Sequence, residues 1–204
     1  MQKILINPAL DISTYNLPVN SYDIFGNNNK TALEIGFGEG EFIVELANKN
    51  KKWNFLGIEI KYYRFKKSVH LATKEKAYNL KLIHFDVNIA VEQVFEENIF
   101  DKVYINFPDP WPKDRHKKHR IINERFLNGL RSLMKKGSTI EFASDHIDYV
   151  NHTIEHFKSN PNFLNTLKSE SFTTKVKNRP VTKFEKKFID ENKQIYYLTF
   201  KKVN

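Results

Sequence analysis

The chain predicts an α/β domain in which a mostly parallel sheet carries helices on both faces. Three observations predict it. Short apolar strand segments alternate strictly with helical ones from Thr31 to Lys158, the pattern of a parallel sheet whose crossovers are helices. A glycine-rich turn, Gly36-Phe37-Gly38-Glu39-Gly40, follows the first of those strands, and Glu34, Glu59 and Asp86 stand at or beside three successive strand ends. In open α/β sheets ligands bind outside the carboxyl ends of the strands.

Residues 1–30, with Pro8, Pro18 and an asparagine run at Asn27 to Asn29, read as an arm without regular structure. The domain, 31–204, opens with a strand over Ala32 to Ile35, a helix over about Glu41 to Asn50, and a strand over Phe55 to Ile60. A helix follows over about Tyr63 to Ala77, then a strand over Lys81 to Phe85 and a helix near Ile89 to Phe95. Next come a strand over Lys102 to Asn106, a helix over about Ile121 to Met134, a strand over Thr139 to Ala143 and a helix over Ile147 to Lys158. Thr182 to Asp190 reads as a short helix, and Gln194 to Lys201 as a final strand. No repeat and no long linker divides the chain, so a single domain is expected.

At 204 residues with 40% hydrophobic content the chain is long enough to bury one sizeable core. It has no cysteine. Disulfides, zinc-thiolate sites and a thiol nucleophile are excluded, which fits a cytoplasmic location. Met1 to Asn20 has no apolar stretch of signal-peptide type, and no run of about 18 apolar residues exists. No membrane association and no metal are expected. The net charge of +9 points to a polyanionic partner, and the charge is clustered. Lys61 to Lys76 holds six Lys/Arg against Glu75, and Lys113 to Arg120 holds five against Asp114.

The glycine-rich turn permits close approach of a ligand to backbone. Glu41 stands where a dinucleotide fingerprint places its third glycine, and Glu34, Glu39 and Glu41 would repel a pyrophosphate from a helix N-terminus that otherwise suits anions. A cationic or phosphate-free ligand fits better, and S-adenosylmethionine, with a sulfonium and an ammonium, is one. Glu59, twenty-five positions after Glu34, is placed to accept ribose hydroxyls, and Asp86 to accept from an adenine amine, although Asp86 and Asp145 also suit helix N-caps.

The stretch Tyr104 to Arg120 runs from an apolar strand through Pro108, Pro110 and Pro112 into a basic segment. Prolines fix φ and remove donors, so a stiff loop is expected there. Asp109 is locked between two of them beside Trp111, where a carboxylate loses little entropy on engaging a flat hydrogen-bonding substrate such as a nucleobase.

These residues resemble the bacterial tRNA (guanine-N7)-methyltransferases. The resemblance rests on L-E-I-G-F-G-E-G at Leu33 to Gly40, F-L-G-I-E at Phe55 to Glu59, F-P-D-P-W-P-K with R-H-K-K-H-R over Phe107 to Arg120, A-S-D at Ala143 to Asp145 and R-P-V-T-K-F-E at Arg179 to Glu185. It implies a Rossmann-like class I methyltransferase fold of seven strands, the last antiparallel. It implies methyl transfer from S-adenosylmethionine to N7 of a guanine in the tRNA variable loop, by a monomer or homodimer. Glu34, Gly36, Gly38, Gly40, Glu59, Asp86 and Asp109 would then bind the cofactor, with Asp109 also the catalytic position. Lys113, Asp145, Thr182, Lys183, Phe184 and Glu185 match substrate-binding positions, and Arg115, His116, Lys117, Lys118, His119 and Arg120 an RNA-contacting stretch. His119 replaces a basic residue that many relatives carry.

Guanine N7 has an in-plane lone pair and no proton, so no base is needed to make the nucleophile, and catalysis should rest on positioning and electrostatics. Asp109 is expected to orient guanine through its ring N–H or amine, or to contact the cofactor. Competing readings are an adenine amino-methyltransferase, against which the non-adjacent prolines count, a basic binding module without chemistry, and a dinucleotide oxidoreductase, disfavoured by the acidic turn.

Overall fold

The computed structural model describes residues 7–167, 171–177 and 179–204; the first six residues of the expected arm lie outside this range. The chain falls into two compact units, Met1–Glu96 and Glu97–Asn204.

In the first unit β1 (Lys30–Ile35), β2 (Trp53–Glu59) and β3 (Leu80–His84) pair in parallel in the order β3-β2-β1. Ala32, Leu33 and Ile35 are all buried, as are Phe55, Leu56 and Ile58, so these strands are covered on both faces. Register sets Glu34 beside Gly57 and Glu59 beside His84, so the acids Glu34, Glu59 and Asp86 step two residues farther along from each strand to the next at the same end of the sheet. The crossovers are α2 (Glu41–Lys49) and α3 (Tyr62–Lys74), and α4 (Val87–Gln93) follows β3. Phe42, Ile43, Val44, Leu46 and Ala47 give α2 a conventional apolar face, whereas α3 buries only Ser68 and Ala72.

The arm is more ordered than its prolines and asparagines suggest. Pro8 and Leu10 exchange backbone hydrogen bonds with Leu82, each 2.8 Å, adding a bridge beside β3. Leu10, Val19 and Ile24 are buried, and α1 (Ser21–Phe25) starts at a capping box in which Asn20 and Asp23 satisfy each other's backbone N–H.

The second unit holds β4 (Phe100–Asn106), β5 (Met134–Ser144), β6 (Phe163–Asn165) and β7 (Tyr196–Lys202) in the order β4-β5-β7-β6. The first two are parallel, and β7 runs antiparallel to both β5 and β6. The expected antiparallel last strand is therefore present. Its helices are α5 (Glu124–Leu133), α6 (Ile147–Lys158) and α7 (Lys183–Asp190). Phe157 of α6 stacks on Phe200 of β7 with ring centroids 3.8 Å apart, anchoring the helix to the antiparallel strand. The expected helix from Ile121 begins instead at Glu124, because the Asn123 side chain accepts from the Phe126 N–H and caps it there. β6, only three residues long, is the strand of the implied seven that the hydrophobic pattern does not locate.

Candidate active site

In the first unit the turn after β1 takes its shape from its glycines. Gly40 has φ +88°, and a Cβ there would lie 2.6 Å from Ser68 Oγ, so the α2 N-terminus and α3 approach more closely than any side chain permits. Gly36 and Gly38 have open space where their Cβ atoms would stand. Gly57 makes room for Phe37, whose ring would lie 2.5 Å from an added Cβ, so the turn is pinned from beneath by a buried aromatic.

The Glu59 carboxylate is 4% exposed and held by two backbone donors: Oε2 accepts from the Gly38 N–H at 3.0 Å and Oε1 from the Lys61 N–H at 2.9 Å. Charge-assisted bonds of this kind fix it while leaving further lone pairs for hydroxyl donors. The Phe85 N–H donates to the Glu59 carbonyl at 3.2 Å, drawing the end of β3 toward the same place. Asp86 caps α4, its Oδ1 accepting from the Asn88 N–H at 2.8 Å. Glu34 is buried near the end of β1. The structure thus gathers Glu34, Gly36, Gly38, Gly40, Glu59 and Asp86 at one end of this unit's sheet, and Glu39 is drawn aside by Lys67 at 3.0 Å.

In the second unit the chain leaves β4 at Asn106 and enters the proline loop. Phe107 and Trp111 adopt positive φ, +49° and +44°, which side chains of this bulk rarely do. They bracket Pro108-Asp109-Pro110, and Asp109 is exposed. Strain of this type persists only where surroundings over-determine it. Two anchors are visible. The Phe107 N–H donates to the Ala143 carbonyl at 2.8 Å, tying the loop to the end of β5 beside Asp145, and its ring packs on Phe188 of α7 at 5.5 Å. Farther on, the Arg120 Nε donates to the Pro110 carbonyl at 2.9 Å.

Arg120, expected among the RNA-contacting residues, is placed in the interior. Only 2% of it is exposed. Its guanidinium lies over the Tyr149 ring at 4.7 Å and bonds Asp148 closely through Nη2. Asp148 is held below the usual carboxylate range, chiefly by that bond, so it stays ionised at neutral pH. A buried arginine spanning Asp148 and the Pro110 carbonyl steadies the loop. The basic stretch between them forms a 3-10 helix, Asp114–His119, in which Lys117 bonds both Asp114 and Asp148. Lys113, Arg115, Lys118 and His119 are exposed, and His119 lies against Trp111 with centroids 5.2 Å apart while His116 meets the same ring edge-on at 5.9 Å.

The substrate-binding expectation for Thr182 to Glu185 divides in the same way. Thr182 and Glu185 are buried and form the capping box that starts α7, whereas Lys183 and Phe184 are exposed. The threonine-x-x-glutamate spacing carries that signature in the sequence itself. Glu185 Oε1 accepts from the Tyr197 hydroxyl at 2.6 Å, and Oε2 faces Arg179 Nη2 at 3.4 Å. Burial, aided by Glu185, pushes the Tyr197 phenol up, so it remains a donor. Arg179 Nη2 also donates to Asn106 Oδ1 at 2.9 Å, and Nη1 stands 3.7 Å from Glu141 Oε2 on β5. Arg179 and Asn106, to which the sequence assigns no role, therefore join the foot of the proline loop to the start of α7.

A family profile described as a putative methyltransferase matches residues 28–198. A tRNA (guanine-N(7)-)-methyltransferase of Leptospira interrogans is 36% identical over 169 residues, 81% of this chain and 76% of the relative. The chain belongs to the tRNA (guanine-N7)-methyltransferase family. A family member from Thermotoga maritima is 35% identical over 189 residues, and there the chain spans 91% of itself and 58% of the relative. Among solved structures, an antibiotic-related methyltransferase has a TM-score of 0.61 at 18% identity, covering 89% of this chain and 92% of that one. A SAM-dependent O-methyltransferase of Thermotoga maritima has a TM-score of 0.56 at 15% identity, over 89% and 63%. These likenesses show the class I methyltransferase fold that the tRNA (guanine-N7)-methyltransferase resemblance implied.

Proposed function

We propose that this chain transfers a methyl group from S-adenosylmethionine to N7 of a guanine in tRNA, in the variable loop. The observation that carries the reading is the proline-locked loop, which presents an exposed carboxylate, Asp109, beside Trp111 and a basic 3-10 turn. The strand ends of the first unit fit the cofactor. Glu59, fixed by two amides, would accept its ribose hydroxyls, and Asp86 has Oδ2 available to accept from an adenine amine. The open faces of Gly36 and Gly38 admit a ligand against backbone, and the neighbouring acids favour one with positive charge and no phosphate. When bound, S-adenosylmethionine supplies an electrophilic methyl on a sulfonium.

The residues of this chain orient and neutralise. Asp109 would accept from the guanine ring N–H and amine and favour the positive charge that grows on the base. Asp145, at the end of β5, and the exposed Lys183 and Phe184 would complete the base's surroundings. Lys113, Arg115 and Lys118 would meet phosphates, with His116 and His119 beside Trp111.

The test is incubation of the protein with methyl-labelled S-adenosylmethionine and unmodified tRNA, followed by digestion to nucleosides. Label in 7-methylguanosine supports the reading; label on adenine would replace it with amino-group methylation. Replacing Arg115 and Lys118 by alanine should weaken tRNA binding and lower the slope of log affinity against log salt by about one to two, since each phosphate contact contributes about 0.7 to 0.9. An unchanged slope would place the RNA elsewhere.

A further inference from the structure

The basic cluster that the proposed site does not use lies on α3. This helix contains Arg64, Lys66, Lys67 and Lys74, follows Lys61 directly, and has no acidic residue. Of these cations, Lys67 pairs with Glu39. Two large aromatics at its start are left in solvent, Tyr62 at 57% and Tyr63 at 55% exposure. Each lies with a cation: Lys66 Nζ is 5.7 Å from the Tyr62 centroid, and the Arg64 guanidinium carbon 5.8 Å from that of Tyr63. Arg64 Nε also donates to the Tyr63 hydroxyl at 3.0 Å. Tyr62 is braced by the Phe65 and His84 rings at 6.2 and 5.2 Å, so its orientation is set before any partner arrives.

A crossover helix normally spends its aromatics on the core. Here Ser68 and Ala72 are fully buried and Phe65, Val69 and Leu71 half-buried, while the two tyrosine rings are displayed in solvent beside Arg64 and Lys66. The chemistry that satisfies both features at once is a strand of phosphates carrying flat bases free to stack. An anionic bilayer satisfies the charge but calls for inserted Trp, Phe or Leu, and the exposed positions of α3 offer none.

We infer that the Tyr62–Lys67 face of α3 is a second RNA-contacting surface, which holds an unpaired stretch of the tRNA by stacking on tyrosine and by phosphate contacts to Arg64 and Lys66. This rests on the tRNA reading above. Its role is retention of the substrate body, so it changes affinity and leaves the methyl-transfer step alone.

The test uses the full chain and an unmodified tRNA transcript, with binding measured by fluorescence anisotropy at several salt concentrations. Tyr63 is 55% exposed and among the described residues has its ring and hydroxyl contacts with its neighbour Arg64, so its replacement should leave folding intact. Tyr63→Ala should weaken tRNA binding about tenfold, within the range of one lost base stack, and Tyr63→Phe should retain it. Arg64→Ala combined with Lys66→Ala should flatten the salt slope by about one to two. Affinity for S-adenosylhomocysteine, measured by calorimetry, should not change in any of them. Unchanged tRNA affinity and slope would overturn the inference, as would a loss of S-adenosylhomocysteine affinity of the same size, which would assign the rings to the cofactor. Binding to phosphatidylglycerol vesicles that Tyr63→Ala abolishes while tRNA binding persists would assign the surface to a membrane. A wild-type protein that binds tRNA yet yields no 7-methylguanosine would remove the proposed reaction, whereas this inference is read from binding alone.

Discussion

Asp109→Asn should lose turnover by about a hundred- to a thousandfold while keeping its affinity for S-adenosylhomocysteine, the range seen when one preorganised electrostatic partner of a developing charge is removed. The substitution keeps the volume and planarity of the side chain, and position 109 is exposed, so folding should be indifferent to it. What changes is charge and hydrogen-bonding sense. A carboxylate presents two acceptors to the adjacent ring N–H and amine of guanine, whereas an amide presents one acceptor and a donor that opposes one of them. As N7 gains its methyl group the base becomes cationic and its N–H groups become stronger donors, so the carboxylate interacts more strongly at the transition state than before it. Single-turnover rates at saturating tRNA, set beside calorimetric cofactor affinity, separate the possibilities. A wild-type rate in the asparagine variant would sink the role, and equal losses in rate and cofactor affinity would assign Asp109 to the cofactor.

Arg179→Ala should strongly destabilise the second unit. The arginine side chain is 7% exposed and faces Glu185, itself 4% exposed. Removing it leaves the buried Glu185 carboxylate without this cation and Asn106 Oδ1 without this donor. Breaking a buried ion pair from one side costs about 3–5 kcal/mol, which for a chain of this size lowers the melting temperature by roughly 10 °C. Arg179→Lys should recover little, because an ammonium cannot span Asn106 and Glu185 with a planar fork. Combining Arg179→Met with Glu185→Gln should recover much of the loss, since no uncompensated charge then remains. A melting temperature within about 2 °C of wild type for Arg179→Ala would show the network to be a bystander. If the network also shapes the loop, the double variant will regain stability without regaining turnover.

The alternation of strands and helices was legible because each parallel strand is apolar on both faces and each crossover repeats with helical period. The placement of Glu59 and the glycine turn at one end of the sheet was legible because it is local: a strand end, a turn, an acid at a strand-helix junction. The burial of Arg120 and Glu185 was not legible, for a shared reason. Both stand in strings of charged residues that look solvated, and what buries them is contact with residues far away in the chain, Asp148 and Pro110 for one, Tyr197 and Arg179 for the other. Sequence spacing records helix period and caps; it does not record which charge will be folded inward to hold a loop. The bound arm was missed because prolines and asparagines hide the few apolar residues, Leu10, Val19 and Ile24, that seat it.

The left-handed torsions at Phe107 and Trp111 set stability against performance at two identifiable positions. Glycine at either would relax the local backbone, by about 1–3 kcal/mol per strained residue less what is lost in chain entropy and aromatic packing. A selection for heat resistance alone would find such changes rewarding, and would return a sturdier protein whose carboxylate no longer keeps a fixed address. Selection for turnover would restore the bulky residues and accept the lower melting point.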